Sequence, residues 1–181
     1  VQYIKQINDK RFSFIQSKSE GIKKASNKGF KKSKGKYVAR VDSDDYLHTN
    51  FIQTTINEIR NSRKAFVYSN YFQIDIKDNI KKKKFLPDFK KEEIISRGDF
   101  LATGTVYRKE LIKNLDYYNE RIKNSGLENY ELVLKLLKSN HEGKKINKFL
   151  FYYRKHQNNL SIIKKKKIKI YGKKLFFKMN L

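Results

Sequence analysis

The 181 residues contain no cysteine, which excludes disulfides and thiolate metal sites and fits a reducing compartment. Proline occurs once, and no Pro/Gly/Ser-rich stretch or repeat period divides the chain. The length suits one domain with a core of its own. No apolar run is long enough to span a bilayer, and residues 1–20 lack the charged-then-apolar pattern of a signal peptide. Acids are scarce, with 18 Asp+Glu against 43 Lys+Arg. The apolar share is only 38%, yet 12 Tyr and 13 Phe are spread along the whole length, which argues against wholesale disorder.

The formal charge of +25 would attract nucleic acid, anionic lipid or nucleotide phosphates. Only eight of the 43 basic residues are Arg. Base and phosphate readers favour the bidentate arginine fork, so no specific nucleic-acid partner is expected. Frequent Lys, Asn and Ile also match what an AT-rich coding sequence produces.

One stretch stands apart. Tyr37-Val38-Ala39-Arg40-Val41 is β-prone and runs directly into Asp42-Ser43-Asp44-Asp45. Open α/β sheets bind ligands at such strand-to-loop corners. Two acids one residue apart can face a divalent cation, and Mg2+ or Mn2+ commonly shares one or two carboxylates with substrate phosphates. An acidic turn is the plain alternative, since Asp and Ser are ordinary turn formers.

Around that corner the pattern predicts a helix end over 1–7, a short strand over 11–15, a helix over 19–30 and a central strand beginning after Gly35. A helix capped by Thr49 or Asn50 should run to about residue 63, with Phe51, Ile52, Ile56 and Ile59 inward. Strands follow over 65–68 and 71–76, with Ser69-Asn70 as a kink or turn between them. The lysine run 81–84 reads as a solvated loop. A short helix over 92–97 stops at Gly98. Residues 100–107 form a tight apolar segment, and a short helix covers 109–115. The clearest helix spans 127–137, with Tyr130, Val133, Leu134 and Leu137 in one stripe. A strand covers 146–153. From 162 to 181 lysines alternate with apolar teeth, including Phe176, Phe177, Met179 and Leu181. That pattern suits either an interfacial helix on anionic lipid or a disordered basic end.

Two runs together carry more than composition: Gly21-Ile22-Lys23-Lys24-Ala25-Ser26-Asn27-Lys28-Gly29-Phe30, and Lys34-Gly35-Lys36-Tyr37 through Asp45. They resemble the family 2 glycosyltransferases, with their G-x-x-x-A-x-N-x-G helix, A-x-G-x-Y-I/V approach and D-x-D-D corner. Tyr118-Asn119-Glu120, Glu128-Asn129-Tyr130-Glu131-Leu132 and Tyr153-Arg154-Lys155-His156 follow in the family's order. The resemblance covers about residues 11–161. It implies a GT-A fold, an α/β Rossmann-like nucleotide-diphospho-sugar transferase that inverts the anomeric centre. The expected organisation is a partial GT-A domain over 1–161 and a basic amphipathic tail over 162–181. The family's opening strand–helix–strand unit, which selects the donor base, is not in this sequence.

On that resemblance, Asp42, Asp44 and Asp45 lie on the nucleotide-sugar side, and Asp44, Asp42 and His156 are the candidate ligands of Mn2+ or Mg2+. Gly104 and Thr105 would line the acceptor pocket. The family's helix opens with Glu-Asp, the acid being the presumed base. Here the pair is Glu128-Asn129, so either Glu128 is the base, with helix capping as its structural alternative, or the base is lost. The implied partners are a nucleotide-diphospho-sugar donor, a glycan or lipid-linked acceptor in surface polysaccharide synthesis, and an anionic membrane surface. The implied location is cytoplasmic, peripheral at the inner membrane face. Two rivals remain open. An aspartyl-nucleophile phosphatase also places acids after a strand, but Arg40 and Asp45-Tyr46 suit it poorly. A non-enzymatic polyanion- or membrane-surface binder would rest on charge alone.

Overall fold

The computed structural model describes residues 6–97, 101, 103–121 and 126–179. The expected helix end over 1–7, the stop at Gly98, the start of the segment at Phe100 and the tail residue Leu181 fall partly or wholly outside them.

Helix α1 (Ile22–Lys32) begins after Gly21, whose φ of 91° ends the extended approach, so the helix starts three residues later than the pattern suggested. It buries Lys23, Asn27 and Phe30 at i, i+4 and i+7. The strand expected over 11–15 does not form: these residues are exposed and have no pairing partner among the described strands. Strand β1 (Tyr37–Ala39) is followed by the acidic turn and β2 (Tyr46–Leu47). Helix α2 (Phe51–Arg60) buries Phe51, Thr55 and Ile59, while Ile52 is exposed. Arg108 closes its end, donating to Ile59 O in the last turn at 2.6 Å and to Lys64 O in the loop beyond at 2.8 Å.

Strand β3 (Phe66–Ile74) runs unbroken through Ser69-Asn70. The expected kink survives only as register shifts against the neighbouring strand. Asn70 is buried because its Oδ1 accepts the Leu86 N–H at 2.9 Å. The lysine run is not a loop. It forms β4 (Ile80–Lys84), paired antiparallel with β3, with its lysines turned outward along a charged edge. Then come α3 (Lys91–Arg97), β5 (Val106–Arg108), α4 (Lys109–Asn114), α5 (Glu128–Lys138), β6 (Gly143–Arg154), α6 (Leu160–Ile163) and α7 (Lys165–Met179).

The six strands form one sheet in the order β1-β5-β3-β6-β2, with β4 also on β3. Its spine is the long parallel pair β3–β6. The β1 strand, expected at the centre, lies at one end of the described sheet and pairs antiparallel with β5 alone. Gly143 opens β6 against Phe66, whose ring would lie 2.3 Å from any Cβ placed there. One face of the sheet packs on α1, α4, α5 and α7 through Phe30, Tyr68, Tyr107, Ile112, Leu132 and Leu175 among others. The other buries Phe51, Ile59, Val67 and Leu150 under α2. The result is the mixed α/β architecture expected. Helix α7 lies against the domain, with Leu175 buried and Ile168, Tyr171 and Met179 packed on the same core, while Phe177 is exposed. Among the described residues no helix is long and apolar enough to cross a membrane.

Candidate functional site

The acidic corner is both a turn and a site wall. The Asp45 N–H donates to Asp42 O at 3.1 Å, closing the turn. Asp42 and Asp44 then line a cleft of about 590 Å³. Glu128, at the start of α5, and His156, just beyond β6, line the same cleft. Small residues of α1, Ala25 and Ser26, form another part of its wall.

Arg40 organises one side. Arg40 follows the last residue of β1 and Asp42 opens the turn two residues on, which leaves the two side chains close enough to pair. Its Nη2 donates to Asp42 Oδ2 at 3.1 Å, and its Nε lies 2.9 Å from Oδ1. Its Nη1 donates to Glu128 Oε1 at 3.3 Å. The Tyr118 ring lies against it, 5.8 Å from centroid to guanidinium carbon. Burial opposes its charge, but Tyr118, Asp42 and Glu128 together outweigh burial and raise its pKa further. Glu128 Oε2 is buried with no partner among the described residues.

Arg154 fixes the corner from below. Its backbone N–H donates to Asp45 Oδ1 at 2.8 Å, and its Nε donates to Asp44 O at 2.8 Å. Its two terminal nitrogens reach Asp75 O and Asp78 Oδ1. Asp45 is therefore turned into the protein, where burial raises its pKa to about 6, against the pull of the Arg154 N–H and the Thr103 hydroxyl. It acts as an anchor of the turn and does not line the cleft. His156 Nε2 lies 3.0 Å from Asp44 Oδ2.

Of the three candidate metal ligands, only Asp44 and His156 touch. Asp42 is turned to Arg40. Among the described residues no three of His, Cys, Asp and Glu gather closely enough to hold an ion by themselves. Gly104 and Thr105 are not in the cleft wall. Gly104, with φ of 86°, sits under the Phe51 and Phe151 rings, and its N–H donates to Arg40 O at 3.2 Å. Thr105 is buried. Among the described residues of this segment, Leu101 and Thr103 line the cleft.

The motifs also meet each other. Asn27 Nδ2 donates to Tyr118 O and Glu120 Oε1, both at 2.8 Å, and its Oδ1 accepts the Tyr118 N–H. The asparagine of the glycine-flanked helix thus holds the Tyr-Asn-Glu stretch in place. The Tyr118 hydroxyl in turn donates to Asn129 Oδ1. The i, i+2 spacing of Arg40 and Asp42 is a signal that sequence reading could have used. Nothing in the local sequence marks Arg154 as the clamp under the corner, because its partners are 76 or more residues away.

Residues 1–126 match the family described as Glycosyl transferase family 2. The chain belongs to that family. Among similar proteins, a chondroitin synthase of Escherichia coli is 28% identical over 87% of this chain and 23% of its own length. An Escherichia coli UDP-Glc:alpha-D-GlcNAc-diphosphoundecaprenol beta-1,3-glucosyltransferase, WfaP, is 28% identical over 91% of this chain and 64% of its own. In fold, the family 2 domain resembles S. aureus TarS 1-349 in complex with UDP-GlcNAc, with a TM-score of 0.62 at 19% identity over 82% of this chain and 43% of that one. The fold is therefore of the GT-A type, and this chain spans less than two thirds of the length of these relatives.

Proposed function

We propose that the cleft transfers a sugar from a nucleotide-diphosphate donor to an acceptor hydroxyl with inversion at the anomeric carbon. The observation that carries this is the convergence of Asp42, Asp44, Glu128 and His156, from three separate parts of the chain, on one cavity. The acceptor oxygen attacks the anomeric carbon as the bond from that carbon to the diphosphate oxygen breaks. The leaving nucleoside diphosphate keeps the electron pair, and Glu128 takes the hydroxyl proton at its free oxygen. Asn129, where the family carries an acid, is a neutral amide occupied by the Tyr118 hydroxyl and cannot take that proton.

Asp44 and His156 would hold Mg2+ or Mn2+, whose remaining positions suit phosphate oxygens and water. When bound, such an ion supplies Lewis-acid stabilisation of the departing diphosphate. Arg40 keeps Asp42 and Glu128 in fixed places on the cleft wall, and Arg154 holds the Asp44 backbone. TarS binds UDP-GlcNAc and WfaP is named for a lipid-diphosphate acceptor, which supports a nucleotide-sugar donor and a lipid-linked acceptor here. The lysines and exposed Phe177 of α7 support a peripheral position on an anionic membrane surface at its cytoplasmic side.

The test is calorimetric titration with UDP-, GDP- and dTDP-sugars in Mn2+ and in EDTA. Binding of one donor that needs the metal and is lost in Asp44→Ala is the expected result. Affinity that ignores nucleotide and metal but collapses with salt would instead identify a general polyanion binder.

A further inference from the structure

A second groove of about 580 Å³ adjoins the cleft, and the two share Leu101, Gly126, Tyr153, Asn159 and Ser161 in their walls. The segment after β6 divides them. His156 faces the acidic cleft, Lys155 faces the groove, and Tyr153 belongs to both. Their electrostatics are opposite. The cleft holds three carboxylates, whereas the groove holds Lys84, Lys155, Lys165 and Lys169 and no acid. Among the described residues none of these four lysines has a carboxylate partner. Lys165 and Lys169 lie one turn apart on the same face of α7. The positive end of that 15-residue helix adds to the field.

The groove is also apolar at its rim. Phe85 is 72% exposed and Ile162 45%, while Leu86 and Leu127 line it deeper in. Four unpaired cations in a concave, apolar-rimmed channel leave a strong attraction for an anion with a hydrocarbon part.

Building on the glycosyl-transfer assignment above, we propose that this groove binds the phosphate of an anionic acceptor, with Lys84, Lys155, Lys165 and Lys169 around the phosphate and Phe85 and Ile162 against its apolar chain. The acceptor's sugar then extends past Tyr153 toward Glu128. The geometry selects acceptors that carry phosphate over neutral glycans, because a neutral ligand would leave the lysines without a counter-charge. Two sources share this chemistry: a lipid-linked sugar diphosphate and a phosphodiester-linked polymer.

The experiment uses the full chain, four soluble probes (a short-chain prenyl-diphosphate sugar, the matching neutral prenyl glycoside, a glycerol-phosphate oligomer and inorganic pyrophosphate) and phosphatidylglycerol vesicles. Binding is followed by calorimetry, with UDP, GDP and dTDP titrated separately in Mn2+. The charged prenyl probe should bind at least tenfold more tightly than the neutral one. Lys155→Ala/Lys169→Ala should weaken it by about tenfold, in line with the loss of charge-assisted contacts. The melting profile and UDP affinity should stay unchanged, and Lys82→Ala/Lys83→Ala on the outer edge should have no effect. Preference for the prenyl probe identifies a lipid diphosphate, and preference for the oligomer identifies a phosphodiester polymer. Equal affinity for charged and neutral probes overturns the proposal. So does an unchanged Lys155→Ala/Lys169→Ala double variant, or binding only to phosphatidylglycerol vesicles, which would mark a membrane patch. Absence of binding to UDP, GDP and dTDP alike, with probe binding intact, would overturn the donor assignment and leave the groove standing.

Discussion

Two buried charge clusters sit one turn apart on α5 and serve opposite ends. Glu131 is sealed between helices: Lys23 lies 3.6 Å away, Asn119 Nδ2 donates to Oε1 at 2.7 Å, and the Tyr171 hydroxyl donates to Oε2 at 3.0 Å. Both charged side chains are almost wholly buried, at 3% and 5% exposure. Glu128 has an arginine partner too and is nearly as buried, at 8% exposure, but it lines the cleft, and its Oε2 is buried there without a partner. The sealed cluster spends every acceptor on packing α1, α5 and α7 together. The one on the cleft wall leaves an acceptor oxygen unused. Chemically similar groups one turn apart differ in their surroundings: one is enclosed between helices and the other lines the cleft.

That contrast can be broken in order of expected effect. Glu131→Ala should cost about 3–5 kcal/mol of stability in urea melts, because it strands the Lys23 charge in the interior. The double variant Lys23→Met/Glu131→Leu should recover most of the loss; no recovery would mean that the pair does more than satisfy itself. Arg40→Leu should cost less, about 1–3 kcal/mol, since water in the cleft can solvate Asp42 and Glu128. A loss equal to that of Glu131→Ala would erase the distinction between the sealed and open clusters.

Glu128→Gln should cost about 1–2 kcal/mol in the melt, since it weakens the nearly buried bond to Arg40, and reduce transfer by about 10²–10⁴-fold in an assay with an active donor–acceptor pair. Asn129→Asp should change transfer by no more than about twofold if Glu128 is the base. A large gain would move the base to position 129. The smallest effect concerns Asp45, whose folded pKa of about 6 lies above the ordinary 3.8. Between those values the folded chain binds more protons than the unfolded one, so this group's contribution is complete below the lower value and is lost as pH rises through the window. Asp45→Asn should flatten stability against pH there; an unchanged slope would place the titration elsewhere.

Much of the site was legible because local patterns carry it. The corner at Asp42 and Asp44 was found from a strand running into acids, and α5 from the spacing of Tyr130, Val133, Leu134 and Leu137. The lysine run 81–84 misled because charge suggests solvent. Pairing with β3 needs only one face and one edge of a strand, and lysine side chains tolerate that. Gly104 misled for the opposite reason. Its freedom at φ of 86° serves a close approach to Phe51 and Phe151, with no ligand required.

The order of residues along the chain settled the family, the acid corner and the helix that carries Glu128, since each is written in contacts or spacings only a few residues long. Which carboxylate would face Arg40, which would be clamped by Arg154 and which by Lys23 was decided by the fold. Those partners are two residues away in one case and about 110 in others. Only the closing of the sheet and the docking of α1 and α7 on α5 could separate the charges enclosed between helices from those on the cleft wall.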